Sequence, residues 1–495
     1  MAVDLGTLTI EAFARQWRAG QVSAAELTDH CLRRIDEVNP RLNAFTLVMA
    51  EEARQQARQA DRDLASGADR GPLQGVPISV KDLMDVGGTA TTAASLVRDG
   101  HVAREDAPIV ARLREAGAVF IGKTNLHEFA YGATNEDSSF GPTLNPHDPR
   151  RSPGGSSGGS AVSVATGMAL ASLGTDTGGS IRIPAAACGI VGLKPTYGDV
   201  PTEGIVPLSR TLDHAGPLAR SVLDAWLVYR CLVGRPAHGD GDLKPARTLR
   251  LAVLRPYFCD VLDSEVRSRF EGAVEKLREG GARVAEVAFP RVDSVTAIFP
   301  IIQASEAAAY HARTLESVPD RYTRSVRLRL EVGRYVLAED YLRALKGRVV
   351  LRQGLDAVLG DHDALVAPTL PVPAQPIGAE SVVIDGSTHP LRPLMLKLTQ
   401  PFNVTGHPVI SLPCGFTSEG LPCGLQLVGK YGQAQALLGV ALACESQLGR
   451  PARTGVGAAR AAAERWDPPS PTRTAGGCAG RRDRPMTTLY LSFQS

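Results

Sequence analysis

The eight cysteines, Cys31, Cys188, Cys231, Cys259, Cys414, Cys423, Cys444 and Cys478, form no CxxC pair, and none joins a histidine at zinc-ligand spacing. A disulfide scaffold, a redox motif and a structural zinc site give way to reduced, buried thiols. Charge of one sign is missing too: 54 basic side chains face 52 acidic ones. That balance gives no electrostatic reason to expect nucleic acid or an anionic membrane as partner. The one basic cluster, Arg481-Arg482-Asp483-Arg484, solvates a loose end. No apolar run reaches the ~18 residues that a spanning helix needs. The opening Met-Ala-Val-Asp-Leu-Gly has neither a basic start nor an apolar stretch. A soluble, cytoplasmic protein is expected. The 50 glycines and 34 prolines show no period, which excludes collagen-like and low-complexity architectures.

What is present is a large globular chain. Its 495 residues are 43% hydrophobic, enough for one large α/β unit with insertions. Residues 7 to 66 read as helices, set apart as an N-terminal helical arm over 1–70. Ser23 and Glu26 make a capping box before an apolar stripe of Leu27, Cys31, Leu32 and Ile35. Pro40 is expected to end that helix, and Gly67 to close a second one near 50 to 65. From Gly75 the texture changes. Val76–Val80 is β-prone and runs into Lys81-Asp82, and a helix over Ala107–Ala116 leads to a strand over Ala118–Ile121. Strands are expected again at 248–254, 283–288, Val409–Pro413 and Gly424–Gly429, with helices at 263–279 and across 303–358. Strands alternating with helices predict an α/β fold, and a catalytic domain is expected over 71–465. From Trp466 onward, Asp-Pro-Pro-Ser-Pro and Gly-Gly-Cys-Ala-Gly predict a disordered tail, 466–495.

The chemistry concentrates between Ser152 and Ala185. Ser152-Pro-Gly-Gly-Ser-Ser-Gly-Gly-Ser160 holds four glycines and four serines in nine residues. A flexible linker and a phosphate cradle share that composition. The linker reading is weak because a helix of small residues, expected over Ala161–Leu173, follows at once. The phosphate reading is weak because there is no GxxxxGK[ST] and no Lys or Arg follows in the loop. Next comes Gly174-Thr-Asp-Thr-Gly-Gly-Ser-Ile-Arg-Ile-Pro-Ala185. Gly178 and Gly179, just before Ser180, let the backbone turn tightly and aim successive N–H groups at one oxygen, as an oxyanion hole requires. Asp176 and Arg182 bracket the turn as a candidate brace; a plain structural ion pair would look the same.

Through these residues the chain resembles the amidase signature family. The match runs through Gly154-Gly-Ser-Ser-Gly-Gly-Ser-Ala and on to Gly174-x-Asp-x-Gly-x-Ser-Ile-Arg-x-Pro-Ala185. Pro77-Ile-Ser-Val-Lys-Asp, Gly122-Lys-Thr-Asn-Leu-His-Glu-Phe-Ala, Phe140-Gly-Pro-Thr-Leu-Asn-Pro and Gly424-Leu-Gln-Leu-Val-Gly extend it. The resemblance implies a mixed, twisted β-sheet with helices on both faces. It implies Ser180 as nucleophile, Ser156 as a bridging serine after a cis Gly155–Ser156 bond, and Lys81 as base. It further implies oxyanion donors at the N–H groups of Thr177, Gly178, Gly179 and Ser180. General chemistry agrees. A serine hydroxyl attacks well only when a base takes its proton. None of the ten histidines sits in the lysine motif or in the two serine motifs. A lysine can serve only if burial keeps it neutral.

The resemblance leaves three classes: a free amidase, the glutaminase A subunit of a tRNA-dependent amidotransferase, and a noncatalytic relative. The complete Ser–Ser–Lys set speaks against the third. Arg352 falls where the subunit's arginine would sit. Glu306-Ala-Ala-Ala-Tyr-His-Ala-Arg313 departs from the subunit's motif, because Thr314-Leu315-Glu316 follows where Asp-Gly is expected. Leu396, seven positions before Asn403, replaces an acidic residue, and an apolar side chain cannot hold an ammonium group. A free amidase is therefore expected, cleaving amides, anilides, esters or carbamates (urethanes). Gly155, Ser156, Ala130, Tyr131 and Thr134 are expected around the substrate, with Leu394, Met395 and Leu398 as a candidate apolar wall. His127, His147, His214 and His407 lack metal spacing, so neither metal nor cofactor is expected. The partner list is a small amide-type substrate, no nucleic acid, no membrane, and a homodimer as the candidate assembly.

Overall fold

Runs such as Pro77–Lys81 and Ala171–Thr175 have every side chain buried, which places them inside a sheet covered on both faces. The computed structural model describes Leu5, residues 8–235 and residues 243–449. In chain order it comprises α1 (Ile10–Arg18), α2 (Ala24–Leu42), β1 (Phe45–Val48), α3 (Ala50–Ala65), β2 (Pro77–Lys81), α4 (Pro108–Glu115) and β3 (Val119–Thr124). Then come α5 (Gly158–Ala165), β4 (Ala171–Thr175), α6 (Arg182–Cys188), β5 (Val191–Lys194), β6 (Ala215–Ala219) and α7 (Val222–Leu232). The second half holds β7 (Arg250–Leu254), α8 (Ser264–Glu279), β8 (Arg283–Val287), α9 (Val295–Ser317), α10 (Arg324–Gly333), α11 (Ala338–Leu359) and β9 (Ala364–Pro368). It closes with β10 (Ser381–Ile384), β11 (Ser387–Pro390), α12 (Leu391–Lys397), α13 (Gln400–Thr405), β12 (Val409–Phe416), β13 (Pro422–Val428) and α14 (Ala434–Leu448).

Eleven strands form one mixed sheet in the order β1-β3-β2-β4-β6-β5-β12-β13-β9-β7-β8, and β10 pairs with β11 apart from it. β3, β2 and β4 run parallel to one another, β4 through β9 alternate antiparallel, and β9, β7 and β8 are parallel again. The outermost strands differ from the buried centre: β8 has no buried residue, and β1 buries only Phe45. This is the α/β fold expected, with helices on both faces.

Local chemistry explains the elements near the amino end. Ser23 and Glu26 complete their capping box on α2. Asp61, on α3, accepts from Trp17 Nε1 at 2.7 Å and from the backbone N–H groups of Ala24 and Ala25, so one carboxylate ties three helices together. Pro40 does not end α2, which runs to Leu42 and stops at Asn43 with φ 52°. Pro40 and Asp36 lie on the exposed face, so the carbonyl that the proline leaves unpaired faces water. The stretch expected to be all helix also contains β1, which pairs with β3.

The helix expected over Ala161–Leu173 is instead the shorter α5 followed by β4. Gly167, at φ 79°, turns the chain, and Leu170 N–H then reaches the Pro77 carbonyl. Pairing Ala171 beside Ile78 overrides the helical preference of an Ala-rich segment. The predicted tail, with Cys478 and the Arg481–Arg484 cluster, lies outside the described residues. The seven cysteines within them are unpaired. Among the described residues no helix is long and apolar enough to cross a membrane.

α5 enters the site through a close backbone approach. A Cβ on Gly159 would stand 2.4 Å from the carbonyl oxygens of Ala44 and Asn125. Gly159→Ala should therefore lower the thermal unfolding midpoint, by overpacking worth roughly 1–3 kcal/mol. Gly272→Ala, in exposed α8 with nothing within 4 Å, should raise it slightly. Equal midpoints for the two variants would refute this packing account.

Candidate active site

Lys81 ends β2, and Thr175 ends the neighbouring parallel strand β4. Both side chains thus gather at the carboxyl ends of adjacent strands, where α/β sheets open their crevices. Below them, the Ser79 hydroxyl meets the Ser163 and Ser172 hydroxyls at 2.9 and 2.8 Å, a buried polar row that is fully paired. Lys81 is wholly buried. Its Nζ donates to Ser156 Oγ at 2.7 Å and to Thr175 Oγ1 at 2.9 Å. Burial brings its pKa down to about 7, against the opposing pull of Asp176 and Asp213. A large share of Lys81 is therefore neutral near neutral pH, with a lone pair free to accept a proton.

The loop that presents Ser156 is fixed at several points. Ser152 Oγ donates to the Thr134 carbonyl, Gly158 N–H to Asn135 Oδ1, and Gly159 N–H to the Asn125 carbonyl. The Gly155–Ser156 bond is cis. A Cβ on Gly155 would lie 2.7 Å from the Asn135 nitrogen, so only glycine fits there. Ser157 N–H donates to the Ser180 carbonyl at 3.2 Å, which joins the two serine loops directly.

Ser180 sits in the turn between β4 and α6 and is 4% exposed. None of the N–H groups of Thr177, Gly178, Gly179 and Ser180 donates to another described residue. The turn is held from behind by Asp176, whose carboxylate accepts from the N–H groups of Ile181 and Arg182. The same carboxylate takes the Arg182 guanidinium through two bonds of 3.0 Å, with both side chains fully buried. Arg182 also reaches Gln426 Oε1 and Asn403 Oδ1, while Asn403 Nδ2 returns to Asp176. Burial pushes the Asp176 carboxyl up, but the Arg182 charge and these hydrogen bonds outweigh it and hold it well below the usual range. Thr399 Oγ1 donates to the Gly178 carbonyl at 2.6 Å and leaves no room at Gly179, where a Cβ would fall 2.3 Å from it.

The structure adds residues that the sequence motifs do not single out. Thr175 is a second ligand of the lysine, hidden at a variable position of a recognised motif. Asp213 accepts from Thr177 Oγ1 at 2.5 Å and from the N–H groups of Leu208 and Ser209. Burial raises its pKa to about 6 despite those bonds. Thr399 and Asn403 come from distant segments and carry no signature spacing, and Gln426 lies in the Gly424–Gly429 motif, to which no role was assigned. Ala130 lines a hollow with Thr175, Thr177, Asp213 and His214. Tyr131 follows it and is buried. Leu394 and Leu396 line a second hollow between α9 and α12, while Leu398 is fully buried in the core. Arg352 stacks over Tyr431 and donates to the Thr405 carbonyl. His127, His147, His214 and His407 contact Asp137, the Cys188 carbonyl, the Leu212 carbonyl and Asp356 respectively. Among the described residues no group of three His, Cys, Asp or Glu side chains could hold a metal ion.

Comparison with known proteins fits this geometry. The family model described as Amidase matches residues 26–438, and the chain belongs to that family of C–N hydrolases. A solved amidase crystal structure superposes with a TM-score of 0.83 at 40% identity, covering 89% of this chain and all of that one. The A subunit of glutamyl-tRNA(Gln) amidotransferase from Roseiflexus sp. (strain RS-1) is 40% identical over 88% of this chain and 95% of its own length. The protein of the same name from Koribacter versatilis (strain Ellin345) is 35% identical over 90% of this chain and 99% of its own length.

These relatives overturn the expectation of a free amidase. It rests chiefly on Leu396 and on the Thr314-Leu315-Glu316 departure. In the fold, Leu396 packs behind the turn that carries Ser180, 3.2 Å from where a Gly178 Cβ would be, and lines the hollow between α9 and α12. A single wall position does not outweigh likeness along nearly the whole chain. The expected partner list, a small amide with no nucleic acid and at most a second copy, falls with it, since the relatives are named as one subunit of a tRNA-linked enzyme.

Removing Arg182 should expose how much the turn depends on it. Arg182→Met leaves Asp176 buried without its partner and should cost about 3–5 kcal/mol. Urea unfolding followed by fluorescence would read this as a lowered midpoint. A midpoint within error of the parent would mean the ion pair does not hold the loop.

Proposed function

We propose that this chain is the glutaminase-type A subunit of a tRNA-dependent amidotransferase, releasing ammonia to a partner through an acyl-enzyme on Ser180. The observation that carries the chemistry is Lys81, a buried lysine with its pKa at about 7 and its Nζ 2.7 Å from Ser156 Oγ. In the cycle, Ser180 Oγ attacks the carboxamide carbon. Its proton passes to Ser156 Oγ as the Ser156 proton passes to Lys81 Nζ. The oxyanion rests on the N–H groups of residues 177–180, where preorganised donors act best. The C–N bond then breaks, Ser156 protonates the leaving nitrogen to give ammonia, and Lys81 returns the proton to Ser156. Water cleaves the ester by the same relay, releasing the acid and restoring Ser180. Asp176 and Arg182 are positioning residues that hold the loop.

The assembly part of the proposal is supported by the name shared by relatives that match this chain over nearly their whole length. The same reading makes it a cytoplasmic protein. Glutamine deamidation should be faster when the chain is isolated from its own cells with its bound partners than when purified alone. Equal rates in the two preparations would refute a role within a larger complex.

Ser180→Ala should abolish turnover and labelling by a fluorophosphonate. Lys81→Ala should lower kcat by about 10²–10⁴-fold. Because Lys81 must be neutral to accept a proton, kcat/KM should be low in acid and rise with pH through about 7. A profile flat from pH 5 to 9, or near-full activity in Lys81→Ala, would rule out the lysine as base.

A further inference from the structure

β4 and β6 are antiparallel, and their last regular pair is Thr175 with Ala215. The pairing continues beyond both strands. Asp176 N–H donates to the His214 carbonyl at 2.8 Å, and His214 N–H returns to the Asp176 carbonyl at 3.2 Å. One step further Thr177 meets Asp213, and the Thr177 hydroxyl donates to Asp213 Oδ1 at 2.5 Å. Alternate residues of a ladder share a face. Thr177 and Asp213 therefore stand on the face of Thr175, whose hydroxyl accepts from Lys81. All three line one hollow, together with Ala130, Arg210 and His214.

Asp213 has no cation of its own. Its second oxygen accepts from the N–H groups of Leu208 and Ser209 at 2.9 and 3.0 Å. Glu306, on α9, also holds this loop, accepting from Ser209 Oγ, Thr211 Oγ1 and Thr211 N–H. Among the described residues neither carboxylate forms an ion pair, whereas Asp176 pairs with Arg182 and Asp82 with Lys123. The charges that act on Lys81 are Asp176, from the turn after β4, and Asp213. Glu306 faces Asp213 with a like charge, and burial holds His214 well below its usual range and so neutral.

We infer that Asp213 is a positioning residue of the reaction: it anchors Thr177 at the start of the oxyanion turn and sets an unpaired negative charge on the Lys81 side of the site. The inference rests on the proposed acyl chemistry at Ser180. Asp176 fixes the far end of the turn through the N–H groups of Ile181 and Arg182, and Asp213 fixes the near end. Oxyanion donors act only where they are aimed, so a loose first residue weakens the whole turn. Asp176 is matched by Arg182, which leaves Asp213 as the unmatched acid. Its pull opposes the burial that brings the Lys81 pKa to about 7, and a base works best with a pKa near the working pH. Asp213 itself takes no part in bond breaking.

The test is the rate at which a fluorophosphonate labels Ser180 in the full chain between pH 5 and 9. Asp213→Asn keeps the shape of the side chain and removes its charge. Lys81 then loses its proton more easily, so the acid limb of the profile should move to lower pH by roughly half a unit or more. Thr177→Val keeps the charge and cuts the anchor. Its maximal labelling rate should fall by about tenfold or more with the limb in place, and Thr177→Ser should keep most of the rate. An acid limb that does not move in Asp213→Asn, or a Thr177→Val chain labelled as fast as the parent, would overturn the role. The two Thr177 variants decide the anchor even if Asp213→Asn does not fold. Titration of the Lys81 side chain by carbon NMR in Ser180→Ala separates this inference from the chemistry it rests on. A midpoint that falls when Asp213→Asn is added supports the role even if Ser180 is never labelled, an outcome that refutes only the acyl chemistry. Equal midpoints overturn the role.

Discussion

A buried ion pair governs the geometry of this protein's reactive loop. Asp176 and Arg182 stand on either side of the turn that carries Ser180, and neither has access to water. Alone, such a pair would gain little, since desolvation offsets attraction. Here both partners have further uses. Asp176 gathers two backbone N–H groups, and Arg182 reaches across to α13 through Asn403 and to β13 through Gln426. The loop is thereby tied to the middle of the sheet. The backbone donors of residues 177–180 stay unengaged because other groups fix the chain around them.

Lys81 faces the opposite electrostatic demand. Asp176 keeps its charge because Arg182 is paired with it, whereas Lys81 is surrounded by hydroxyls and no paired acid. Two hydroxyl oxygens satisfy its protons without stabilising its charge as a carboxylate would. Asp176 and Asp213 act on it only from a distance, and burial wins. The nearby Lys123 differs in lying 3.1 Å from Asp82, with which it forms an ion pair, although burial lowers its pKa as well.

Much of this was legible in the sequence, for identifiable reasons. Gly178 and Gly179 before Ser180 announce a turn that tolerates no side chains, and the neighbours at 2.7 and 2.3 Å explain why. Lys81 at the end of an apolar run announces burial. Strands rich in apolar and β-branched residues were also readable in part: the expected Ala118–Ile121 and Val409–Pro413 fall within the observed β3 and β12 but for Ala118, and both strands run three residues further. What was hidden depends on contacts between remote segments. β4 looks helical until it is paired with β2, and Thr175 and Asp213 carry no local signature of their tasks. Leu396 shows the reverse error. Read by position alone it decides the substrate, yet in space it packs behind the turn that carries Ser180.

Lys81 is tied to Ser156 and Thr175, partners 75 and 94 residues further along the chain. Its low pKa comes from burial, and that burial requires β2, β4 and the serine loops to have come together. In a nascent or partly folded chain the same lysine is hydrated and protonated, and the serines lack a base. On the proposed mechanism hydrolysis therefore requires the finished sheet, and the chain stays chemically quiet during its own synthesis.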